Sequence, residues 1–312
     1  MPLIRRLRPH HACIARAVTI GNFDGVHLGH SEILKELVSV AKQRELTSTV
    51  ITFTPNPKAF FAKKANHPIP KQILTLRDKV RLLQSHGIND VVILPFNTHL
   101  AKMSAQDFIK QILIDALNTQ HLMVGDDFRF GAKRQGDFAQ LTQEQKTHGY
   151  TLASSPTVTL EGERVSSSAI RAALAIGDLT QATQQLGHPL TLSGHIIYGQ
   201  QLGRTIGVPT INLKMPEHLA SHGIYAVTVA LGTRTFQGVA SIGHRPSVKN
   251  NGQCWLEVFI FDFNEQVYGQ IAQVTLHHKI RDEAHFDNLT TLMDAIQQDV
   301  DDAKSFFIKN QM

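Results

Sequence analysis

Two histidines, His27 and His30, are the side chains of this sequence best suited by type and spacing to chemistry. They end the stretch 21–30, Gly-Asn-Phe-Asp-Gly-Val-His-Leu-Gly-His, which follows the β-prone run 17–20 and precedes a helix-like run, 31–44. A strand, a glycine-rich turn and a helix start put both imidazoles on one face, beside amides that favour anions. The pattern predicts a nucleotide-phosphate site, although histidines that only cap a helix are the structural alternative. The assigned residues are the two histidines with Gly21, Asn22, Phe23, Asp24 and Gly29.

Two further segments of the first half carry groups that suit a nucleotide. The stretch 123–131 ends a strand-like run with glycines, carboxylates and aromatic rings, so Asp127 and Phe128 are predicted to bind ribose and base. The stretch 165–171 places serines at a helix start with an arginine beyond them, which suits triphosphate oxygens. A solvated turn and simple serine capping are the respective structural alternatives. The phosphate ligands assigned to the second segment are Ser167, Ser168 and Arg171.

The second half contains a glycine-rich loop that leads into an extended segment. Thr210 and Asn212 point to the same side of such a segment and offer oxygen atoms to a hard cation such as Mg2+. A barrel corner would use the same residue types, and the chain has no Walker phosphate-binding motif. Glu257 lies in a strongly apolar β-prone run, where it could accept the proton of an alcohol or pair with a cation at the strand rim. The residues assigned to phosphate binding in the preceding loop are Gly203, Arg204, Thr205 and Gly207.

The elements that must position these residues differ between the two halves. From about residue 17 to 185, β-like and helix-like segments alternate, which predicts a doubly wound α/β domain with a mostly parallel sheet. Ligands bind beyond the carboxyl ends of the strands in such sheets. The predicted strands are 17–20, 48–53, 90–94, 121–124 and 151–153, and the predicted helices are 77–85, 105–116 with Ser104 as N-cap, 168–176 and 179–186.

After Gly187, short β-rich runs separated by turns predict a small antiparallel barrel. Apolar residues at Leu292, Met293, Ile296 and Val300 predict an amphipathic helix that covers the barrel. The predicted domains are 1–186 and 187–312. The predicted barrel strands include 191–198, 223–230, 235–241, 255–263 and 271–277, and the closing helix is 289–307.

Composition limits the class of protein. The 312 residues are 42% hydrophobic and 18% charged, which is typical of a globular chain of about two domains. The only cysteines, Cys13 and Cys254, lack metal-ligand spacing, and no apolar run approaches the length of a bilayer span, so a cytoplasmic protein is expected. The net charge of +5 is compatible with nucleic-acid binding but equally with a cleft that collects phosphates.

The chain resembles the bacterial bifunctional riboflavin kinases/FMN adenylyltransferases, also called FAD synthetases, over nearly all of its length. The matching stretches are 21–30, 52–55, 124–137, 165–178 and, in the second half, 199–212 with its Gly-Arg-x-x-Gly-x-Pro-Thr-x-Asn pattern. The resemblance implies a nucleotidylyltransferase domain of Rossmann-like fold, followed by a Greek-key-type barrel with a C-terminal helix. It also implies ATP, Mg2+ and the flavins riboflavin, FMN and FAD as ligands.

In the adenylyl-transfer step that the resemblance implies, His27 and His30 stabilise the α-phosphate while the serines and Arg171 hold pyrophosphate. In the kinase step it makes Glu257 the base for the riboflavin hydroxyl. It also places Asn56 and Arg281 on the flavin side, and Asn56 stands where relatives commonly carry histidine.

The resemblance leaves two rival functions. Asn56 motivates a riboflavin kinase whose first domain only binds ligand, and the basic charge motivates a barrel that binds nucleic acid. We expect neither a nucleic-acid nor a membrane partner, and a monomer or weak homo-oligomer.

Overall fold

The computed structural model describes residues 3–155, 158–199, 208–244 and 252–311 of the chain. These residues form two compact units. The first reaches Pro70 and resumes from Lys79 to Val165, and the second comprises Lys71–Asp78 and the chain from Ser166 onward. The following paragraphs describe each unit separately.

A six-stranded parallel sheet forms the centre of the first unit. Its strand order is β1-β4-β3-β2-β5-β6, and every pairing is parallel. The central strands β2 and β4 are buried almost throughout, as expected of parallel strands covered on both faces. The five predicted strands are confirmed, and a short edge strand is added at the start of the chain. The strands are β1 (Leu3–Ile4), β2 (Arg16–Ile20), β3 (Thr47–Thr54), β4 (Asp90–Pro95), β5 (Thr119–Gly125) and β6 (Thr151–Ser155), followed by the hairpin β7 (Thr159–Leu160) and β8 (Glu163–Arg164).

Helices cover this sheet and meet it through one apolar core, which includes Val18, Ile51, Val92, Ile109 and Leu122. The predicted helix 105–116 is present, capped by Ser104, but continues as a π-helix from Phe108 to Ala116. The predicted helix after the glycine-rich turn is confirmed as α1, and it begins at Leu28, before the helix-like run 31–44, because the side chain of His27 caps it. The helices that begin in this half are α1 (Leu28–Gln43), α2 (Pro57–Lys64), α3 (Leu76–Ser85), α4 (Thr98–Lys102), α5 (Ala105–Asp107) and α6 (Phe138–His148).

The second unit contains two short helices, a closed antiparallel barrel and a C-terminal helix. The barrel ring is β10-β13-β12-β11-β14-β9, closed by pairing of β9 with β10, and this order is of Greek-key type. The predicted fold class is therefore confirmed. The elements are α7 (Ser167–Ile176), α8 (Leu179–Leu186), β9 (Thr191–Ile197), β10 (Thr210–Met215), β11 (Gly223–Leu231), β12 (Arg234–His244), β13 (Cys254–Ile260), β14 (Ile271–Arg281) and α9 (Leu289–Lys309).

The C-terminal helix α9 covers the barrel with the predicted face, because Leu292, Ile296 and Val300 lie on the same side of the helix as the packed residues that follow them. Its buried apolar residues are Val300, Ala303 and Phe307, which pack against residues of β11 and β12, whereas Met293 is 42% exposed. The first two turns therefore contribute little to the packing, and only Val300 of the predicted stripe is fully buried. Among the residues that the structure describes, no helix is both long and apolar enough to cross a bilayer.

Candidate active sites

The strand order of the parallel sheet reverses between β2 and β5. The chain runs from β2 through β3 to β4 on one side of the sheet and from β5 to β6 on the other. Such a switch point opens a crevice beyond the carboxyl ends of the two strands, where open α/β sheets bind ligands. The loops that follow β2 and β5 are the two predicted nucleotide-binding segments, so the topology supports both.

The two histidines after β2 lie against one another. Their rings stack with centroids 3.7 Å apart, and the Phe23 ring lies 4.8 Å from that of His30. The His27 Nδ1 atom accepts a hydrogen bond from the His30 amide at 3.4 Å, which caps α1. A Cβ atom at Gly29 would lie 3.2 Å from the His27 ring, so the glycine leaves room for this arrangement. The histidines therefore cap the helix and also form a paired imidazole site.

The loop between β2 and α1 has an unusual backbone. Phe23, Gly25 and Val26 have φ angles of 47°, 87° and 45°. Positive φ is rare outside glycine and a genuine outlier for a β-branched residue such as valine. Gly25 adopts its φ without strain, but Phe23 and Val26 each cost on the order of 1–3 kcal/mol and persist only where surrounding contacts enforce them. This strain is a second indication of a functional loop, independent of the histidines.

A lysine that the sequence did not single out holds this loop. The Nζ atom of Lys79, on α3, donates hydrogen bonds to the Asn22 carbonyl at 2.9 Å and to Thr52 Oγ1 at 3.3 Å. Thr52 Oγ1 itself donates to the same carbonyl at 3.2 Å. The buried carboxylate of Asp24 raises the pKa of Lys79 and partly offsets the lowering caused by burial. The loop is thus attached to the end of β3 and to α3.

Two buried polar atoms in this region have no hydrogen-bond partner among the described residues. They are Asn22 Oδ1 and His30 Nδ1. Buried polar atoms are almost always satisfied, and exceptions are concentrated where a ligand or water completes the site. Burial lowers the pKa of His30 well below its usual value, and His27 and Lys79 add to the effect. His30 is therefore neutral at neutral pH, with one nitrogen as donor and the other as acceptor.

The loop after β5 carries the second predicted pair of residues. Asp127 is exposed and forms a 3.2 Å ion pair with Arg164 of the β7–β8 hairpin, a residue that the sequence did not indicate. The Phe128 ring stacks on that of Phe130 with centroids 5.4 Å apart. Phe128 is half-buried, so an aromatic face and a carboxylate lie together at the carboxyl end of β5. This combination suits a nucleoside.

An aromatic cluster stands at the carboxyl ends of β3 and β4. Phe60 and Phe61 of α2 pack edge-on against Phe96, with centroids 5.4 and 5.7 Å away, and Phe61 is 50% exposed. Asn56, predicted to be a flavin ligand, is the N-cap of the same helix and accepts a hydrogen bond from the Lys58 amide at 2.9 Å. Asparagine is among the best N-cap residues, which gives a physical reason for its presence here.

Ser167, Ser168 and Arg171 lie in the second unit, in the first turns of α7. Ser166, just before them, caps the helix by accepting from the Ala169 amide at 3.2 Å. The predicted helix start is confirmed, and the capping hydroxyl is that of Ser166. The use of the other three residues as phosphate ligands stays a prediction.

The barrel brings together three of the residues predicted for the second half. Strands β10 and β13 pair so that Asn212 lies opposite Glu257 and Thr210 lies opposite Phe259. Alternate residues of a strand share a face, so Thr210, Asn212 and Glu257 stand on one side of the barrel wall. Asn212 is buried and its amide donates to the Thr210 carbonyl at 3.3 Å. A hydroxyl, an amide and a carboxylate are thereby collected on adjacent strands.

A cavity of about 400 Å³ opens beside Thr210. Its lining includes Ile211 of β10 and Val258 and Ile260 of β13, which alternate with Asn212 and Glu257 along these strands, together with the turn 263–268. Tyr268 of that turn stacks on Tyr198, with ring centroids 3.8 Å apart, and Tyr198 is 66% exposed. The sequence did not indicate this turn. The loop residues Gly203, Arg204, Thr205 and Gly207, predicted to bind phosphate, lie outside the described residues.

Comparison with known proteins decides the family. The family model for FAD synthetase matches residues 10–169, and the model for riboflavin kinase matches residues 186–307. The chain is 40% identical to the bifunctional riboflavin kinase/FMN adenylyltransferase of Haemophilus influenzae, over 98% of this chain and 99% of that protein. It is also 40% identical to the Escherichia coli K12 protein of the same name, with 98% of both covered. The chain belongs to this family.

One solved structure resembles this riboflavin kinase/FMN adenylyltransferase family member along almost its whole length. It is described as a macrolide-efflux protein from Streptococcus pneumoniae, with a TM-score of 0.73 and 29% sequence identity. The match covers 95% of this chain and 97% of that one. Both units of this chain therefore have counterparts within one solved chain.

Arg281, predicted to contact the flavin edge, is held by α9. Its Nε and Nη2 atoms donate to the two Asp299 carboxylate oxygens at 2.7 and 2.6 Å, and its guanidinium lies 5.6 Å from the Phe286 ring centroid. The pair fixes the guanidinium plane at the end of β14. In this family member the arginine therefore has a structural partner, and its contact with flavin stays a prediction.

Proposed function

We propose that this protein makes FAD in two ATP-dependent steps. The barrel phosphorylates riboflavin to FMN, and the parallel-sheet unit transfers AMP from ATP to FMN, which gives FAD and pyrophosphate. The observation that carries the proposal for the kinase step is the pairing of β10 with β13, which places Asn212 opposite Glu257. The stacked rings of His27 and His30 after β2 support the adenylyl step. The same family membership disfavours both rivals, the kinase with a silent first domain and the nucleic-acid-binding barrel.

In the adenylyl step the FMN phosphate oxygen attacks the α-phosphorus of ATP and pyrophosphate leaves. No protein nucleophile is required, so catalysis consists of orientation and charge stabilisation. His27 and His30 stabilise charge on the α-phosphate, and a neutral His30 can do so as a hydrogen-bond donor. Asp127 and Phe128 bind the nucleoside, and Ser167, Ser168 and Arg171 hold pyrophosphate.

The flavin ring in that step binds at the aromatic cluster. The exposed face of Phe61, with Phe60 and Phe96 behind it, offers a flat apolar surface of the kind on which a large aromatic ring stacks. Asn56 begins the helix that carries Phe60 and Phe61, so its capping bond positions the cluster.

In the kinase step Glu257 accepts the proton of the riboflavin 5′-hydroxyl, whose oxygen attacks the γ-phosphorus of ATP as ADP leaves. The oxygen atoms of Thr210 and Asn212 suit Mg2+, which prefers oxygen ligands and is commonly completed by substrate phosphates. When bound, Mg2+ neutralises phosphate charge. No cluster of three or more histidine, cysteine, aspartate or glutamate side chains within the described residues could hold a metal, which fits a site built from hydroxyl and amide oxygens.

We assign the adenylyl step to residues 1–186 and the kinase step to residues 187–312. The limits of the two family models, 169 and 186, support this division. The partners are then the small molecules riboflavin, FMN and ATP, with no nucleic acid and no membrane. The free thiols of Cys13 and Cys254 are compatible with the proposed cytoplasmic location. The protein is proposed to work as a monomer or weak homo-oligomer.

Product analysis tests both activities in one protein. The full chain is incubated with ATP and Mg2+ and either riboflavin or FMN, and flavins are separated by chromatography. Wild type should form FMN and FAD from riboflavin, and FAD from FMN. Glu257→Gln should lose about 10²–10⁴-fold in FMN formation but still adenylylate FMN.

His30→Asn should show the converse, with adenylyl transfer about 10²–10³-fold slower and normal kinase activity. His10→Asn, an exposed histidine before β2, is the matched control and should change neither reaction. FMN accumulation without FAD from the wild type would support the rival with a silent first domain. Retention of RNA in a salt-dependent manner, without either product, would support the nucleic-acid-binding rival.

A further inference from the structure

Lys79 is a charged residue of the first site that the reaction just described does not use. It lies on α3 between the exposed Arg77 and the half-buried Arg81, and is itself partly buried. Its ammonium donates to the Asn22 carbonyl and to Thr52 Oγ1, at 2.9 and 3.3 Å. An ammonium inside a protein loses hydration, so it is kept there only where its charge or its hydrogen bonds are used.

The acceptor of the shorter bond is the carbonyl that precedes the strained part of the loop. Phe23, Gly25 and Val26, the residues with positive φ, follow directly after Asn22, and Asp24 and His27 belong to the same turn. A backbone of this kind relaxes unless contacts at its ends restrain it. The Gly21 amide donates to the Ile51 carbonyl at 3.1 Å, so β3 restrains one side of Asn22, and Lys79 supplies the restraint from α3.

We propose that Lys79 is a positioning residue for adenylyl transfer, which holds the strained loop and so keeps Asp24 and His27 in the geometry that the reaction needs. The inference rests on the proposed adenylyl transfer. Lys79 binds the main-chain carbonyl of Asn22, so the interaction does not depend on the side chain at position 22. Position 79 needs a side chain of about the length of lysine that carries a cationic or other strong hydrogen-bond donor.

The charge of Lys79 also acts on the chemistry of His30. Among the described residues, the titratable groups whose charges act on this imidazole are His27 on the loop and Lys79 on α3, and Asp24 acts in turn on Lys79. Both neighbours oppose protonation of His30, in addition to its burial. Removal of the lysine charge therefore makes His30 easier to protonate and raises its pKa.

The test compares Lys79→Met with Lys79→Arg in the full-length protein. Methionine keeps the length and apolar stem but has neither donor nor charge, whereas arginine keeps both. For Lys79→Met we expect kcat for FAD formation from FMN to fall roughly 10²-fold, with little change in the KM for FMN. Lys79→Arg should retain most of the activity. Lys42→Met, an exposed lysine near the end of α1, is the matched control and should behave as wild type.

Two readouts separate a positioning role from a purely structural one. Riboflavin phosphorylation by the same variants should stay normal, and thermal unfolding should show that the first unit, which holds Lys79, is still folded. The acid limb of the kcat/KM profile for FAD formation should move to higher pH in Lys79→Met, because His30 is then protonated at higher pH.

Normal kcat in Lys79→Met would overturn the proposal, and so would equal losses in both variants with an unmoved acid limb. A wild type that forms no FAD would instead refute the adenylyl function itself, so the two failures are distinguishable.

Discussion

Replacement of Gly199 by alanine should impair the kinase reaction by moving Asn212. A Cβ atom at position 199 would lie 2.6 Å from the Asn212 side-chain nitrogen and 2.7 Å from its Cγ and Oδ1 atoms. An ordinary contact is about 3.5 Å, so the amide must move by roughly 0.9 Å. Asn212 is only 4% exposed and hydrogen-bonded to the Thr210 carbonyl, so it cannot rotate freely into solvent.

The expected loss follows from the size of that movement. A displacement of about 1 Å in a positioned group can cost about 10²-fold in rate. We therefore expect kcat for riboflavin phosphorylation to fall about 10²-fold in Gly199→Ala and the concentration of Mg2+ needed for half-maximal activity to rise. FAD formation from FMN should be unchanged, and thermal unfolding should show that the barrel is still folded.

A double-mutant cycle tests whether the effect passes through Asn212. If it does, Gly199→Ala combined with Asn212→Ala should be about as slow as Asn212→Ala alone, because the alanine has no amide left to displace. Losses that multiply would show that Gly199 acts by another route. Normal phosphorylation by Gly199→Ala would refute the assignment of Asn212 to the metal and phosphate site.

Two further predictions concern Arg281 and His30. Asp299→Asn should lower the free energy of unfolding of the barrel by about 2–3 kcal/mol in chemical denaturation, because it weakens a bidentate ion pair with Arg281 that is partly buried. If Arg281 also contacts flavin, Arg281→Gln should both lower this stability and raise the KM for riboflavin. Equal stability losses in the two variants, with an unchanged KM, would make the arginine purely structural. Folding lowers the pKa of His30, so below about pH 6.5 the unfolded chain binds a proton at this residue that the folded chain does not bind. The free energy of unfolding should therefore decrease as the pH is lowered below about 6.5. Thermal unfolding at pH 7.5 and 5.5 should show a smaller difference for His30→Gln than for wild type, and an equal difference would contradict the lowered pKa.

The sequence was most informative where a local pattern determines structure. Strands of the parallel sheet are apolar runs of β-branched residues, and a glycine terminates α7 and α8, so their positions were predictable. The exact start of α1 was less clear: the sequence offered histidine capping only as an alternative, and the structure shows that His27 is the cap. The packed face of α9 was predictable from its apolar spacing, and only Met293 of the predicted stripe is exposed.

Lys79 shows why part of the site could not be predicted. With Arg77 and Arg81 it places a basic residue at every second position of α3, and because residues two apart lie on opposite sides of a helix, the pattern alone does not show which of them faces the protein. Only the tertiary structure turns its ammonium towards the loop after β2. The sequence predicted functional roles for Asn212 and Glu257 separately, from their residue types. It could not predict that they lie opposite each other, because this depends on pairing between strands some 45 residues apart.

Closure of the barrel has a consequence for how this enzyme can change in length. In a closed ring each strand has two neighbours, so a one-residue slip of β10 on β13 would have to be accommodated by every other pair around the ring. It would also turn Asn212 and Thr210 to the opposite side of the wall from Glu257. Insertions and deletions should accordingly be tolerated in the turns between strands but not within β10 or β13, and a library of single-residue deletions scored for FMN formation would reveal the site as two short intolerant segments.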